Sequence, residues 1–229
     1  MMTLNAIVKP AGAVIALLSF SLASPAQKYQ NLFDGKDLKG WHNYLGRGVD
    51  SSWQAHDGIL VLDHAQGGRG GDIVTDGEYE NFELQVDWNI SEGGNSGIMF
   101  DVKEDPKYGA TYLSGPEMQI LDNVKADDNK LPSHLAGSLY DLIPADPKAV
   151  HPAGQWNHAV IRLDHGHLTC WMNGKKVVET QMWTPGWDAM VAKSKFRKWK
   201  EFATFHKGRI ALQDHGDPVK FRNIRVREL

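Results

Sequence analysis

Cysteine is nearly absent: Cys170 is the only one in 229 residues, so no disulfide can form within the chain. Metal-binding spacings are missing too. Neither HExxH nor CxxC occurs, and the acidic stretch KADDN (125–129) does not fit a calcium-loop pattern. The glycine-rich AQGGRGGD (65–72) has neither the GxGxxG spacing nor a following helical pattern, which excludes a dinucleotide fingerprint. Excess positive charge is absent: 25 Lys and Arg face 28 Asp and Glu. That balance argues against a nucleic-acid partner and gives no pull toward an anionic membrane. No apolar run reaches the roughly 20 residues of a spanning helix.

The one apolar run, AGAVIALLSFSLA (11–23), follows Lys9 and precedes the small residues SPAQ. A basic start, a short apolar centre and small residues at a cleavage point describe a secretory signal peptide; an N-terminal anchor is the alternative reading. Cleavage after Ala23 or Ala26 fits. With Ala26, residues 1–26 are the signal and 27–229 form one domain of net charge −4, since Lys9 leaves with the signal. Export without disulfides suits a bacterial periplasm, and no cysteine at the signal's end offers a lipid anchor. Cys170, in LTCWMNG, reads as a small core residue.

Strand patterns dominate the remainder. In NFELQVDWNI, Phe82, Leu84, Val86, Trp88 and Ile90 alternate with polar residues, the period of a half-buried strand. Asp57-Gly58, His165-Gly166 and Asn173-Gly174 mark hairpin turns. GRIALQDHG and VKFRNIRVREL supply closing strands. Helical periodicity is confined to TPGWDAMVAKSKFRKWKEF (184–202). Many short strands separated by turns predict a single all-β sandwich or barrel. In GPEMQILDN, period two sets Met118 and Ile120 on one face and Glu117 and Gln119 on the other. The polar face is either solvated or turned toward a polar ligand.

The series NLFDGKDLKGW, EYENFELQVDW, GGNSGIMF, GPEMQILD, HLAGSLYDLIP and GRIALQDHGDPVKFRNIRVREL resembles the 3-keto-disaccharide hydrolase family over residues 29–229. The resemblance implies a concanavalin A-like jelly-roll sandwich of two antiparallel sheets with one short helical insert, its site on a concave face. It also implies cleavage of 3-keto-glycosides, with a separate sugar 3-dehydrogenase making the ketone. In such a substrate the ketone acidifies the C2 proton and the C1 oxygen is β to the carbonyl. A moderate base, enolate stabilisation and an acid for the leaving oxygen then suffice.

The candidate catalytic residues are Glu117, His134 and His215. Glu117 is a base, His134 an acid/base because a histidine precedes the LYD segment in the family pattern, and His215 a second acid/base from LQDHGD. The candidate substrate ligands are Asn95, Gln119, Tyr140, Asp141, Lys195 and Gln213. Period two sets Gln213 and His215 on one face and Asp214 on the other. Each has a plainer role open to it: turn chemistry for Asn95 and Asp214, a cap for Asp141, a surface loop for His134, and a solvated basic face for Lys195. Trp41, Trp53, Trp156 and Trp183 could stack on sugars or pack as ordinary core and rim residues. No cofactor is required by this chemistry; Glu117 with a histidine is the pair that would recruit a divalent metal. Two other functions remain open: a glycosidase using Glu117 with a second carboxylate, and a noncatalytic carbohydrate-binding sandwich.

Overall fold

The computed structural model describes residues 1–2 and 28–229. The signal segment and its cleavage point lie outside the described residues. Among the described residues, thirteen strands run in chain order. The first eight are β1 (Gln30–Asn31), β2 (Trp41–Asn43), β3 (Trp53–His56), β4 (Ile59–Leu62), β5 (Ile73–Thr75), β6 (Phe82–Ile90), β7 (Asn95–Val102) and β8 (Glu117–Leu121). A long irregular stretch follows, then β9 (Asn157–Asp164), β10 (His167–Met172), β11 (Lys175–Gln181), helix α1 (Pro185–Val191), β12 (Arg209–Leu212) and β13 (Val219–Glu228). One antiparallel sheet has the order β11-β10-β9-β6-β13-β4-β3, with β1 on β13. The other has the order β2-β5-β12-β7-β8.

The apolar alternation in β6 dictates the packing. Phe82, Leu84, Val86, Trp88 and Ile90 are buried while the residues between them are half-buried. They meet Ile98 and Phe100 of β7, Met118 and Ile120 of β8, and Ile210 and Leu212 of β12 across the sandwich. Phe82 stands edge-on to Phe100 at 6.2 Å. Each such large apolar side chain removed from water contributes roughly 1.5–3 kcal/mol. Cys170 sits in this core, and burial pushes its thiol up to about 12, so it packs as an inert apolar group.

The three expected hairpin turns are present. Asp57, His165 and Asn173 have φ of 49°, 50° and 51°, each followed by a glycine at φ 79–81°. This left-handed pair joins β3 to β4, β9 to β10 and β10 to β11.

The helical insert is shorter than its sequence pattern predicts. Thr184 caps α1 by accepting the Trp187 N–H, and the helix ends at Val191. A separate 3-10 turn, Lys195–Lys198, then begins at Ser194. The Ser194 hydroxyl takes the Phe196 N–H and the Asp141 carboxylate takes the Lys195 N–H at 2.6 Å. A continuous helix needs those two donors for its own ladder, so these side chains break it. The glycine-rich segment also differs from a free loop. Asp50 accepts the Arg69 and Gly70 N–H groups and Asp214 accepts that of Gly71. At Gly70, φ is 69° and a Cβ would lie 2.0 Å from Asp214 Oδ2, so glycine is required there.

Candidate active site

β8 has no solvated face: every residue of Glu117–Leu121 is buried. Met118 and Ile120 join the core between the sheets, which turns Glu117 and Gln119 to the outer face of the smaller sheet. That face is roofed. The edge of β8 is covered by residues 137–140, through the Gln119 N–H to the Ser138 carbonyl (3.0 Å) and the Tyr140 N–H to the Glu117 carbonyl (2.9 Å). Covering an edge strand satisfies its backbone and, here, sets Tyr140 beside Glu117. The 3-10 turn carrying Lys195 closes another side.

The cavity so formed has a volume of about 360 Å3. Seven of the nine expected site residues line it: Asn95, Glu117, Gln119, Tyr140, Lys195, Gln213 and His215. They arrive from strands β7 and β8, the segment after β12, the stretch covering the β8 edge and the turn carrying Lys195. On β7, the Asn95 N–H donates to Asp217 Oδ2 (3.0 Å) and the Ser96 hydroxyl to the Gln213 carbonyl (2.9 Å). These bonds stitch the start of β7 to the segment after β12. In that segment Asp214 is drawn away from the cavity. Its carboxylate meets His64 Nε2 at 2.9 Å and the Gly71 N–H at 2.6 Å, while its own N–H donates to Asp72. His215 is left at the cavity mouth, exposed.

Gly97 explains how Glu117 fits. A Cβ there would lie 2.1 Å from Glu117 Oε1, so the carboxyl rests on the bare backbone of the neighbouring strand. The Glu117 side chain has no hydrogen-bond partner among the described residues, and 6% of the residue is exposed. Burial pushes its carboxyl up to about 8; the Lys195 ammonium draws it down, while Asp72 and Asp128 push it further up. Asp72 lies near the site, half-buried, bonded to the Thr111 hydroxyl and itself held above the usual carboxylate range by desolvation. Gln119 accepts the Ile120 N–H through Oε1 at 3.1 Å, which leaves its NH2 for the cavity.

His134 and Asp141 are not among the cavity-lining residues. His134 is placed behind Tyr140, its ring 4.4 Å from the tyrosine ring, with Nδ1 2.7 Å from Asp128 and Nε2 3.0 Å from Asp141. Both ring nitrogens are engaged by carboxylates, so this histidine is not a free acid/base facing substrate. Asp141, at φ 56°, bonds His134 and the Lys195 N–H rather than projecting into the cavity. Asp128 also accepts the Tyr140 hydroxyl at 2.7 Å. The group Asp128, His134 and Asp141 therefore fixes two cavity walls, Tyr140 and the Lys195 turn. Lys195 Nζ lies 4.1 Å from the Tyr140 ring centroid, within cation–π range.

The four tryptophans named from the sequence take the second of their two open roles, as core and rim residues. Trp41 and Trp53 are buried and donate to the Leu32 and Gly71 carbonyls. Trp156 carries the Arg222 guanidinium on its face, and Trp183 stacks on His206 at 3.7 Å. The cavity instead uses Trp199, with Tyr112 and Phe196. Sequence reasoning missed these three and Asp128. Trp199 and Phe196 read as an apolar helix stripe, and only the break at Ser194 turns them to the site. Among the described residues, no group of three or more His, Cys, Asp or Glu is placed to hold a metal ion.

The two antiparallel sheets place the chain in a known class of β-sandwich folds. The Bacillus licheniformis β-glucanase has the same fold, with a TM-score of 0.51 over 90% of this chain and all of that one, at 10% identity. Within the class the match is specific. The chain belongs to the family of 3-keto-alpha-glucoside-1,2-lyase-like domains, whose sequence profile matches residues 28–227. A Bacteroides thetaiotaomicron protein named 3-keto-disaccharide hydrolase is 38% identical over 237 aligned residues, covering 92% of this chain and 82% of that one. A crystal structure from Parabacteroides distasonis ATCC 8503, of a protein proposed to be a glycosyl hydrolase, superposes with a TM-score of 0.80 at 32% identity, covering 88% of this chain and 94% of that one.

Proposed function

We propose that the protein cleaves 3-keto-glycosides by elimination and rehydration, with Glu117 as the base. The observation that carries this is a buried carboxyl that is open to a polar cavity, has no protein partner and is tuned to about 8. A base near the working pH suits a proton acidified by a neighbouring ketone. Ionised Glu117 takes the C2 proton, and its electrons form the enolate across C2 and C3. Lys195 and the amides of Gln119, Asn95 and Gln213 stabilise the enolate oxygen and the ring hydroxyls. The enolate re-forms the ketone as C1=C2 closes and the C1–oxygen bond breaks, and His215 protonates the departing oxygen. Water then adds to C1, giving its proton to His215, and Glu117 returns a proton to C2. The sum is hydrolysis.

The paired-carboxylate reading loses support here, because Glu117 is the only carboxylate lining the cavity among the described residues and a glycosidase needs two flanking the bond. A purely binding module gains nothing from holding an unpartnered carboxyl out of water. An oxidation of the C3 hydroxyl must supply the 3-keto sugar, so the protein works beside a separate sugar 3-dehydrogenase. The N-terminal signal pattern supports a site of action outside the cytoplasm, in a bacterial periplasm. N-terminal sequencing of the native protein tests that placement: a start near Gln27 supports it and a retained Met1 refutes it. For the reaction, a glucoside and its 3-keto form are incubated with the enzyme in deuterated water. The 3-keto form alone is expected to be cleaved, with deuterium at C2 of the product. Cleavage of the unoxidised glucoside at a comparable rate would overturn the assignment.

A further inference from the structure

The segment KSKFRKWK (193–200) carries five cations and no acid in a chain of net charge −3. Lys193, Lys195, Arg197, Lys198 and Lys200 are all exposed. Among the described residues, none of the five has a carboxylate oxygen within ion-pair distance, although nine Lys or Arg contacts with carboxylates form elsewhere. Of the nearby acids, Glu201 pairs with Lys107 at 2.9 Å, Asp141 faces His134 and the Lys195 backbone N–H, and Asp188 is a single exposed carboxylate among these cations. Unpaired like charges clustered this closely repel one another, at a cost that a solvated face with interspersed signs avoids.

The cluster adjoins the Glu117 cavity, which Lys195 and Trp199 line. Trp199 is a wall of that cavity and of two further hollows. One, about 430 Å3, has a floor of Trp187, Phe196, Trp199 and Phe202, with Arg197 and Lys200 on its rim. The other, about 510 Å3, is bordered by Trp199 with Lys198 and Lys200. A leaving group that passes Trp199 on either side therefore rests on an aromatic face and meets two cations whose charge is free. We propose that the leaving-group site favours anionic aglycones with a planar or apolar body, bound by Trp199 and by Arg197, Lys198 and Lys200. This rests on the reading of the cavity as a 3-keto-glycoside site and adds a substrate class to it.

The test compares 3-keto-glucosides of 3-(4-hydroxyphenyl)propionate and of its methyl ester. The two phenols have nearly the same acidity because two methylenes insulate the carboxylate, so chemistry at C1 is matched and only the remote charge differs. At about 10 mM ionic strength, kcat/KM is expected to be about fivefold or more higher for the carboxylate. The two substrates should converge toward 1 M salt, where charges are screened within about 3 Å. Arg197→Glu/Lys200→Glu should invert the preference at low salt. Both positions are exposed, so the salt dependence of the unmutated enzyme gives a readout that does not depend on the variant folding. Equal kcat/KM for the two substrates at low salt would overturn this inference while leaving the 3-keto-glycoside reading intact. Turnover of neither substrate would overturn both.

Discussion

Two buried carboxyls on neighbouring strands show what separates a site from a defect. Glu117 on β8 and Asp101 on β7 are both almost wholly out of water, and burial raises both above the usual carboxylate range. Glu117 opens into a cavity lined with amides and has Lys195 close enough to offset part of the desolvation. Asp101 opens onto nothing. Both its oxygens are sealed without a hydrogen-bond partner, the Glu80 carboxylate pushes it up further, and the Gly208 backbone packs against it so tightly that a Cβ on Gly208 would lie 2.3 Å from the Asp101 carbonyl carbon. Desolvation alone tunes a pKa. Reaching substrate needs an opening, and partial compensation by a cation keeps the ionised form accessible near neutrality.

The largest effect expected from this comparison is at the open carboxyl. Glu117→Gln preserves shape and removes the base, so kcat on a 3-keto-glucoside should fall by roughly 10²–10⁴-fold, while stability near neutral pH should rise, because burial makes the ionised carboxyl costly in the fold. Unmutated enzyme should show kcat/KM rising with pH and levelling near pH 8, because the ionised form is the active one and Glu117 sits at about 8. A pH-independent rate from 6 to 9 would remove Glu117 from the proton transfer.

Next in size is the clamp behind Tyr140. His134→Ala strips both Asp128 and Asp141 of their partner, loosening the tyrosine and the Lys195 turn. Misplacing groups that position substrate costs about 10- to 100-fold, and leaving polar groups unpaired costs about 1–3 kcal/mol of stability. The rise toward pH 8 should survive in this variant, since Glu117 still titrates. Loss of that limb, with folding intact, would show that His134 itself moves the proton.

Gly97→Ala sharpens the comparison by closing the open site from beneath. The added methyl occupies the place of Glu117 Oε1, so the carboxyl must rotate out of its seat. About a tenfold loss of kcat is expected, with a modest fall in Tm, as overpacking a close contact costs roughly 1–3 kcal/mol. A crystal structure of the variant with Glu117 unmoved would contradict the steric account.

Much of this arrangement is legible in the chain itself. Period two in β6 and β8 assigned the inward residues, three turn pairs located hairpins, and Glu117, Gln119, Gln213 and His215 share a cavity as their alternation implies. Legibility ends where side chains override local pattern. Ser194 and Asp141 interrupt a stretch whose apolar spacing predicts continuous helix, and Trp199 reaches the cavity through that interruption. The ion-pair clamp of His134 joins residues from a loop with no periodicity to read. Asp101 gives no signal at all: a polar residue late in an apolar strand looks like a strand end, and only tertiary packing buries it.

The smallest expected effect is at that sealed carboxyl, and it should appear in stability rather than rate. Asp101 ionises at about its ordinary value in the unfolded chain but far less readily when folded. Between those two pKa values the folded state holds a proton that the unfolded state releases. Stability from this group is thus fully present below about pH 4 and is lost as pH rises toward the folded pKa. Asp101→Asn removes the titration, and asparagine tolerates the φ of 52° at this position. The variant should match the unmutated protein near pH 3.5 and gain on it steadily, reaching about 1–3 kcal/mol by pH 8. Activity at saturating substrate should be unchanged, because Asp101 is absent from the cavity wall. Urea denaturation at pH 4, 6 and 8 reads the trend directly. Parallel stability curves for the two proteins would show that Asp101 ionises normally in the fold, and the contrast with Glu117 would then rest on geometry alone.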